Sequence, residues 1–461
     1  MDRAWLSLGG TIDRMNKKNL KGLAVDTVET ALSLGADSAE VSILRDTEFS
    51  VTVRNGEIEN LTESGSRRIG IDIYIEGRKS VVTSTDISAE SIKQLLAEGV
   101  ELAGVMDRDE YAGLPDKDDL GSAGEDLGTF DEATSMITAA EKIDMAVRLE
   151  KAATAMDGRI ISDGASCSTV TLSSVLANSL GFCEVFDRTS SSISLSCAAE
   201  DRPSSGENKG KKQSSWWYST SISFAGLDPV EKVASRAVER TLRKLGAVKP
   251  KTCEVPVVFD DVTARQLLSY IASAAGGSNI YRKSSFLVDM LGKKIGSALV
   301  TVIDDPLMKG RPGSRPFDGE GVRSRRNTII ETGTLESYLL SSYQARKLGL
   351  RTTGNAGGPS NLYMQPGDHS PAEIIAAVDN GLYLTSMSGP GANWSTGDFS
   401  QGAQGIWIRA GKLAEPVNEF TVAGTFAQML KGIVMVGNDL EWRGSINCPT
   451  LRIDSMTVSG T

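Results

Sequence analysis

Ile69, Ile71, Ile73 and Ile75 hold every second position of one run. That period admits little besides a strand with one face in a core, because successive side chains of a strand point to opposite sides. Glu76-Gly77 follows directly and supplies a turn. Upstream, Phe49, Val51 and Val53 alternate with polar residues and lead into Asn55-Gly56, the positive-φ pair of a tight hairpin, ahead of Ile58 and Leu61. The product is an antiparallel meander with one buried face. Helices are expected to cover it. Leu23, Ala24, Val28, Ala31 and Leu32 recur at helical spacing from about Leu20 to a stop at Gly35, and a second helix from Ser88 carries Ile92, Leu95, Leu96 and Val100. This opening region reads as α+β.

Turn formers and acids from Tyr111 predict a surface wrap before a helix over 139–155. Ser/Thr-rich alternation over 168–176 and 191–198 predicts strands with one wet face. Residues 203–215, polar and locally basic, read as an exposed loop, and a helix over 229–245 leads to GAVKPK. We place a boundary there, giving an α+β domain over 1–247 and a β-rich domain over 248–461. The second opens with a strand at 254–259, then Asp260-Asp261 capping a helix that carries Val262, Leu267, Leu268, Ile271 and Ala275 up to Gly276-Gly277. Extended segments follow at 299–303, 327–331, 335–340, 405–409, 420–422 and 451–458, with Thr332-Gly333 and Ala410-Gly411 as hairpin turns. Short strands separated by Gly, Asn and Ser predict a curved, barrel-like sheet rather than a parallel one.

With 461 residues, 40% hydrophobic and 23% charged, the chain has material for sizeable cores and is not broadly disordered. A formal net charge of −10 argues against a nucleic-acid surface. Five widely spaced cysteines without a C-x-x-C pair indicate neither a disulfide framework nor a zinc knuckle. The N-terminus does not read as a signal peptide, and no stretch approaches the run of roughly 20 apolar residues that spans a bilayer. Cytoplasmic residence without membrane contact is the expectation.

The single histidine, His369, lies in a predicted capping box with Ser370 and Glu373, which leaves no Ser-His or Cys-His arrangement for nucleophilic catalysis. Asp304, Asp305, Asp318 and Glu320 form a carboxylate cluster that suits either magnesium or calcium, or ordinary turn chemistry. Tyr343 and Lys347 match a dehydrogenase spacing but lack any glycine-rich cofactor fingerprint. The glycine-rich run from Gly389 lacks the G-K-[ST] ending of a P-loop and suits close backbone approach better than phosphate.

From Thr396, the run TGDFSQGAQGIWIRAGKLAEPVNEFTVAGTFAQMLKGIVMVGNDLEWRGS closely resembles the C-terminal signature of the PmbA (TldE) branch of the TldD/PmbA family. GADSAEVSILRDTEFSVTVRNGEIENL, GGSNIYRKSSFL and RPFDGEGVRSRRNTIIETGTLESYLLSSYQARKLGL are similar to the family in the same order, so the resemblance covers nearly the whole chain. The leader before Asn19 and the basic loop at 209–212 are individual to this chain. The TldD branch carries zinc on an HExxxH helix, whereas the helix in that place here, DDVTARQLLSYIASAAGG, has no histidine, cysteine or glutamate.

The resemblance implies a subunit with no catalytic residue and no cofactor of its own. It would pair with a TldD-type chain that holds zinc, forming a heterodimeric peptidase for unfolded peptides. Asn393, Trp394, Ser395, Gly397, Asp398, Phe399 and Ser400 are expected near the subunit interface or the peptide path, the other reading being that this loop only folds the C-terminal sheet. Two alternatives stay open: a self-sufficient homodimeric binding protein for unfolded peptides, and an independent hydrolase holding metal at Asp304 to Glu320.

Overall fold

A computed structural model describes residues 17–201 and 212–461. The readings made on the leader up to residue 16 and on 203–211 lie outside the described residues. Six strands form the first sheet: β1 (Ser38–Arg54), β2 (Glu57–Ile75), β3 (Arg78–Ser84), β4 (Ile160–Asn178), β5 (Cys183–Glu200) and β6 (Lys212–Ser221), in the order β3-β2-β1-β4-β5-β6. Each expected hairpin pair has left-handed backbone: Asn55 at φ 55° with Gly56 at 77°, and Glu76 at 49° with Gly77 at 74°. Two successive positive φ angles match the right-handed twist of the flanking strands, which is why such turns close hairpins.

The described residues form two compact units, one of residues 17–46, 65–122 and 172–187, the other of 47–64, 123–171, 188–201 and 212–461. They interleave along the chain because β1, β2, β4 and β5 contribute to both. In the first unit, helices Lys17–Ser33 and Ala89–Val105 lay Leu20, Ala24, Val28, Ile92 and Leu96 against Val41, Ile43, Ile69, Ile71 and Ile73. Ile69, Ile71 and Ile73 are fully buried, as their period requires, and Ile75 at the strand end is partly buried. In the second unit, helices Ala139–Met156 and Val230–Leu242 share a core with Phe49, Val51, Val53, Ile193, Leu195 and Trp217.

Beyond them run β7 (Cys253–Phe259), β8 (Val302–Asp304), β9 (Asn327–Glu331), β10 (Thr334–Leu335), β11 (Leu362–Met364) and β12 (Asn380–Ser388). The last six strands are β13 (Ala392–Asn393), β14 (Asp398–Arg409), β15 (Lys412–Thr425), β16 (Ile433–Val436), β17 (Ile446–Asn447) and β18 (Leu451–Ser459). β12 pairs with both β7 and β14, which closes β12-β7-β18-β15-β14 into a five-stranded barrel. Closure removes the exposed edges that an open sheet would present. A smaller sheet has the order β10-β9-β8-β11-β17. The turns at Thr332-Gly333 and Ala410-Gly411 also carry paired positive φ angles. The fold is α+β with a β-rich, barrel-bearing C-terminal region. No helix among the described residues is long and apolar enough to cross a membrane.

Three local expectations need correction. Residues 212–215 are strand rather than loop, because they complete an unbroken ladder with β5 from Ser191↔Ser221 to Glu200↔Lys212. The strand expected at 299–303 is shifted to Val302–Asp304, since the Val300 N–H turns back to the Ser297 carbonyl. The strand expected at 335–340 ends at Leu335. The backbone beyond it is drawn to other partners: the Leu339 N–H donates to the Ala275 carbonyl and the Leu339 carbonyl accepts from Gly277.

Candidate functional site

The helix Asp261–Ala275 begins where Asp260 caps it, a carboxylate oxygen accepting from the Thr263 N–H at 2.9 Å. Ala264, Leu267, Leu268, Ile271 and Ala275 bury one face in the core shared with the barrel. At its far end Gly276-Gly277 turn the chain into the short helix Gly277–Tyr281. A side chain at Gly277 would meet Gln344 Oε1 at 2.5 Å and Leu340 Cδ2 at 2.8 Å, so only glycine lets these segments approach.

A cleft of about 440 Å³ opens at this helix end, lined by Ser269, Ser273, Gln344, Asn355, the Ala356–Pro359 segment and Trp394 among others. Its lining contains hydroxyls, amides and backbone but no charged side chain. Such a surface can hydrogen-bond and shape a ligand; it offers no general acid or base near neutral pH.

The carboxylate cluster turns out to hold one wall of this cleft. Asp304 is fully buried and accepts from Asn355 Nδ2 at 2.7 Å and from the Ser360 N–H and hydroxyl at 2.7 and 2.9 Å. Asp318 accepts from the N–H groups of Ala356, Glu320 and Val322. Arg315 donates to the Gly358 carbonyl at 2.7 Å. Glu320 accepts from the Ser342 N–H at the start of helix Ser342–Leu348. These protein donors account for the cluster as turn and loop chemistry. The Tyr343–Lys347 pair on that helix is likewise a stacking contact, with Lys347 Nζ 5.3 Å from the Tyr343 ring centre.

Burial pushes the Asp318 carboxyl up to about 6 against the opposing pull of its N–H donors. The folded protein therefore retains a proton that the unfolded chain releases near pH 4. The stability this contributes is complete below about pH 4 and lost as pH rises through about 6, an effect of up to about 3 kcal/mol. Urea unfolding followed from pH 4 to 7 should show that decline, and Asp318→Asn should flatten it. An unchanged slope in the variant would count against the assignment.

Of the loop residues singled out in the sequence, Trp394 lines the cleft and is 36% exposed. Its carbonyl accepts from the Phe286 N–H at 2.9 Å. Asn393 pairs with Asp398 at the mouth of a hairpin, and its Oδ1 accepts from the Ser395 N–H at 3.0 Å. Gly397 has φ 86° and packs over Phe286. Asp398 accepts from the Thr396 hydroxyl, and Ser400 donates to the Gly391 carbonyl. Phe399 is buried against Phe426 and Tyr270, so it holds the hairpin from inside the core. Sequence reasoning did not single out Ser269, Ser273, Gln344 or the Ala356–Pro359 segment as lining. The one pointer was Gly276-Gly277, whose close approach draws those segments together.

Comparison with known proteins places this arrangement. Family descriptions match in chain order: PmbA/TldA metallopeptidase domain 1 over 39–103, the central domain over 133–245 and the C-terminal domain over 252–460. The chain is 36% identical to Metalloprotease PmbA of Escherichia coli O157:H7 over 94% of its length and 96% of that protein. The chain belongs to the PmbA/TldD family. A PmbA homolog of Haemophilus influenzae is 33% identical over 97% of both chains. A proposed modulator of a DNA gyrase from Bacteroides thetaiotaomicron superposes with a TM-score of 0.91 at 29% identity, covering 97% of this chain and all of that one. TldE from Thermococcus kodakarensis shares the fold, with a TM-score of 0.83 at 20% identity over 95% of this chain and all of that one.

PmbA/TldD relatives carry the name metalloprotease, so the fit of a metal to this chain can be tested. Ser269, Ala272 and Ser273 are the helix residues that line the cleft, and none is a zinc donor of the usual kind. Among the described residues no group of three or more His, Cys, Asp and Glu side chains could hold a metal ion. These residues do not fit a catalytic zinc.

Proposed function

We propose that this chain is the non-catalytic, PmbA/TldE-type subunit of a cytoplasmic peptidase. Its partner is a TldD-type chain that binds zinc, and together they hydrolyse unfolded peptides. The observation that carries this reading is a family fold kept over nearly the whole chain around a cleft helix without histidine, cysteine or glutamate. In this reading the uncharged cleft and the hairpin of Asn393 to Ser400 border the chamber in which the partner does its chemistry. A peptide held in extended form by backbone hydrogen bonds is read with little sequence preference, which suits unfolded substrates.

Native mass spectrometry with metal analysis, on the chain purified gently from its own cells, tests the pairing. A second chain of similar mass bringing one zinc is the expected result; a zinc-free homodimer with affinity for unfolded peptides would replace it with the self-sufficient binding role. In the reconstituted pair, Trp394→Ala is expected to raise KM about 5- to 10-fold with a smaller change in kcat, the pattern of lost uniform binding. Unchanged steady-state kinetics would remove Trp394 from the peptide path.

A further inference from the structure

A second cleft, also about 440 Å³, lies along β6 rather than at the helix end. Among the described residues β6 is the last strand of its sheet, with β5 on one side only. Thr385–Ser388 of β12 line the same cleft; Ser386, Met387 and Ser388 pair with β14, Thr385 sits at a register break, and all four extend past the β7 ladder, which stops at Leu384. Two strand edges thus meet one opening.

Hydrogen bonding shows which groups face out. Lys244 Nζ donates to the Ser214 carbonyl at 2.8 Å, on the side away from β5. In an antiparallel ladder a residue points its N–H and C=O the same way, and alternate residues repeat the direction. With no register break in β6, the backbone groups of Trp216 and Tyr218 share the outward side with those of Ser214. Lys244 occupies the place where a neighbouring strand would supply an N–H.

The cleft is also chemically biased. Its charged lining residues, Lys212, Arg240 and Lys244, are all basic in a chain of net charge −10. Arg240 is paired with the buried Asp260 at 2.9 Å, and no acid lines the cleft, although Glu200 stands opposite Lys212 in the β5 ladder. Burial pushes Lys244 down to about 8, with the like charge of Arg240 adding to the shift and Asp260 opposing it. Trp216 is 52% exposed beside this edge, with its ring 5.3 Å from that of Tyr218.

We propose that this cleft binds an extended acidic peptide segment, pairing its backbone with Ser214, Trp216 and Tyr218 and setting Asp or Glu side chains against Lys212 and Lys244. The site stands on geometry and charge in this chain alone and does not depend on a peptidase partner. Fluorescence anisotropy on the full chain tests it, using a short labelled peptide of alternating Glu and Val with both ends blocked, so that no terminal carboxylate contributes. Saturable binding is expected, weakened about 10-fold or more when Lys replaces Glu in the peptide, when every peptide nitrogen is methylated, or in Lys244→Glu. Trp216→Pro should lose affinity without lowering the unfolding temperature, since its nitrogen faces the cleft and not the ladder. Should that variant fail to fold, the methylated peptide carries the backbone test. Equal binding of the Lys and Glu peptides, full affinity of the methylated peptide, or no saturation below about 1 mM would overturn the proposal.

Discussion

Phe399→Ala will destabilise the C-terminal region by about 3–5 kcal/mol, measured as a shift in the denaturant midpoint. Phe399 is 1% exposed and meets Phe426 edge-on at 5.7 Å and Tyr270 at 6.5 Å between ring centres. Phe286 stacks on Phe426 at 5.4 Å between ring centres. Truncation removes the transfer free energy of the ring and leaves a cavity among neighbours that cannot easily collapse, because Tyr270 and Phe426 sit on two separate helices and Phe286 on a third segment. The hairpin that presents Trp394 should loosen with it. Trp394→Ala, at the surface of the same loop, should cost less than about 1 kcal/mol. A Phe399→Ala loss as small as that would show that the aromatic cluster does not hold the hairpin.

Arg240→Met will cost about 3–5 kcal/mol at neutral pH, because it leaves Asp260 buried without its counter-ion. Asp260 is 1% exposed, and burial already holds its carboxyl above the usual carboxylate range despite Arg240 beside it. Removing the guanidinium raises it further. The penalty should therefore shrink as pH falls and the carboxyl takes up a proton, and persist as pH rises. Asp260→Asn in the Arg240→Met background should recover much of the loss, since Asn caps a helix about as well as Asp. A penalty independent of pH would assign the effect to the lost Arg240 contacts with the Thr385 carbonyl and the Trp217 ring instead.

How much of this was legible can be judged from particular residues. Ile69, Ile71 and Ile73 of β2 read as a buried strand face, and all four predicted turns appear with paired positive φ angles, because period and turn chemistry are local properties. The capping box of Ser370 and Glu373 and the Asp260 cap were legible for the same reason. Residues 212–215 were not. Their polar composition says loop, but the ladder offered by β5 outweighs local preference, as strand formation depends on the neighbour more than on the residue. The segment after Leu335 failed in the opposite sense: its apolar residues are buried, yet its backbone bonds to a helix end instead of a sheet.

The site divides in the same way. Family membership and the absence of histidine, cysteine and glutamate from the helix Asp261–Ala275 follow from residue identity and are read from the linear chain. Which serines face the cleft, why Asp304 and Asp318 brace its wall, and that a basic opening lies along β6 depend on distant segments being brought within hydrogen-bonding distance, as when Lys244 reaches Ser214, 30 residues away, or Arg240 reaches Thr385, 145 away. Barrel closure is the clearest case. No single strand encodes it, and it exists only because β12 finds both β7 and β14, contacts whose energy is realised in three dimensions and leaves no periodic trace in the chain.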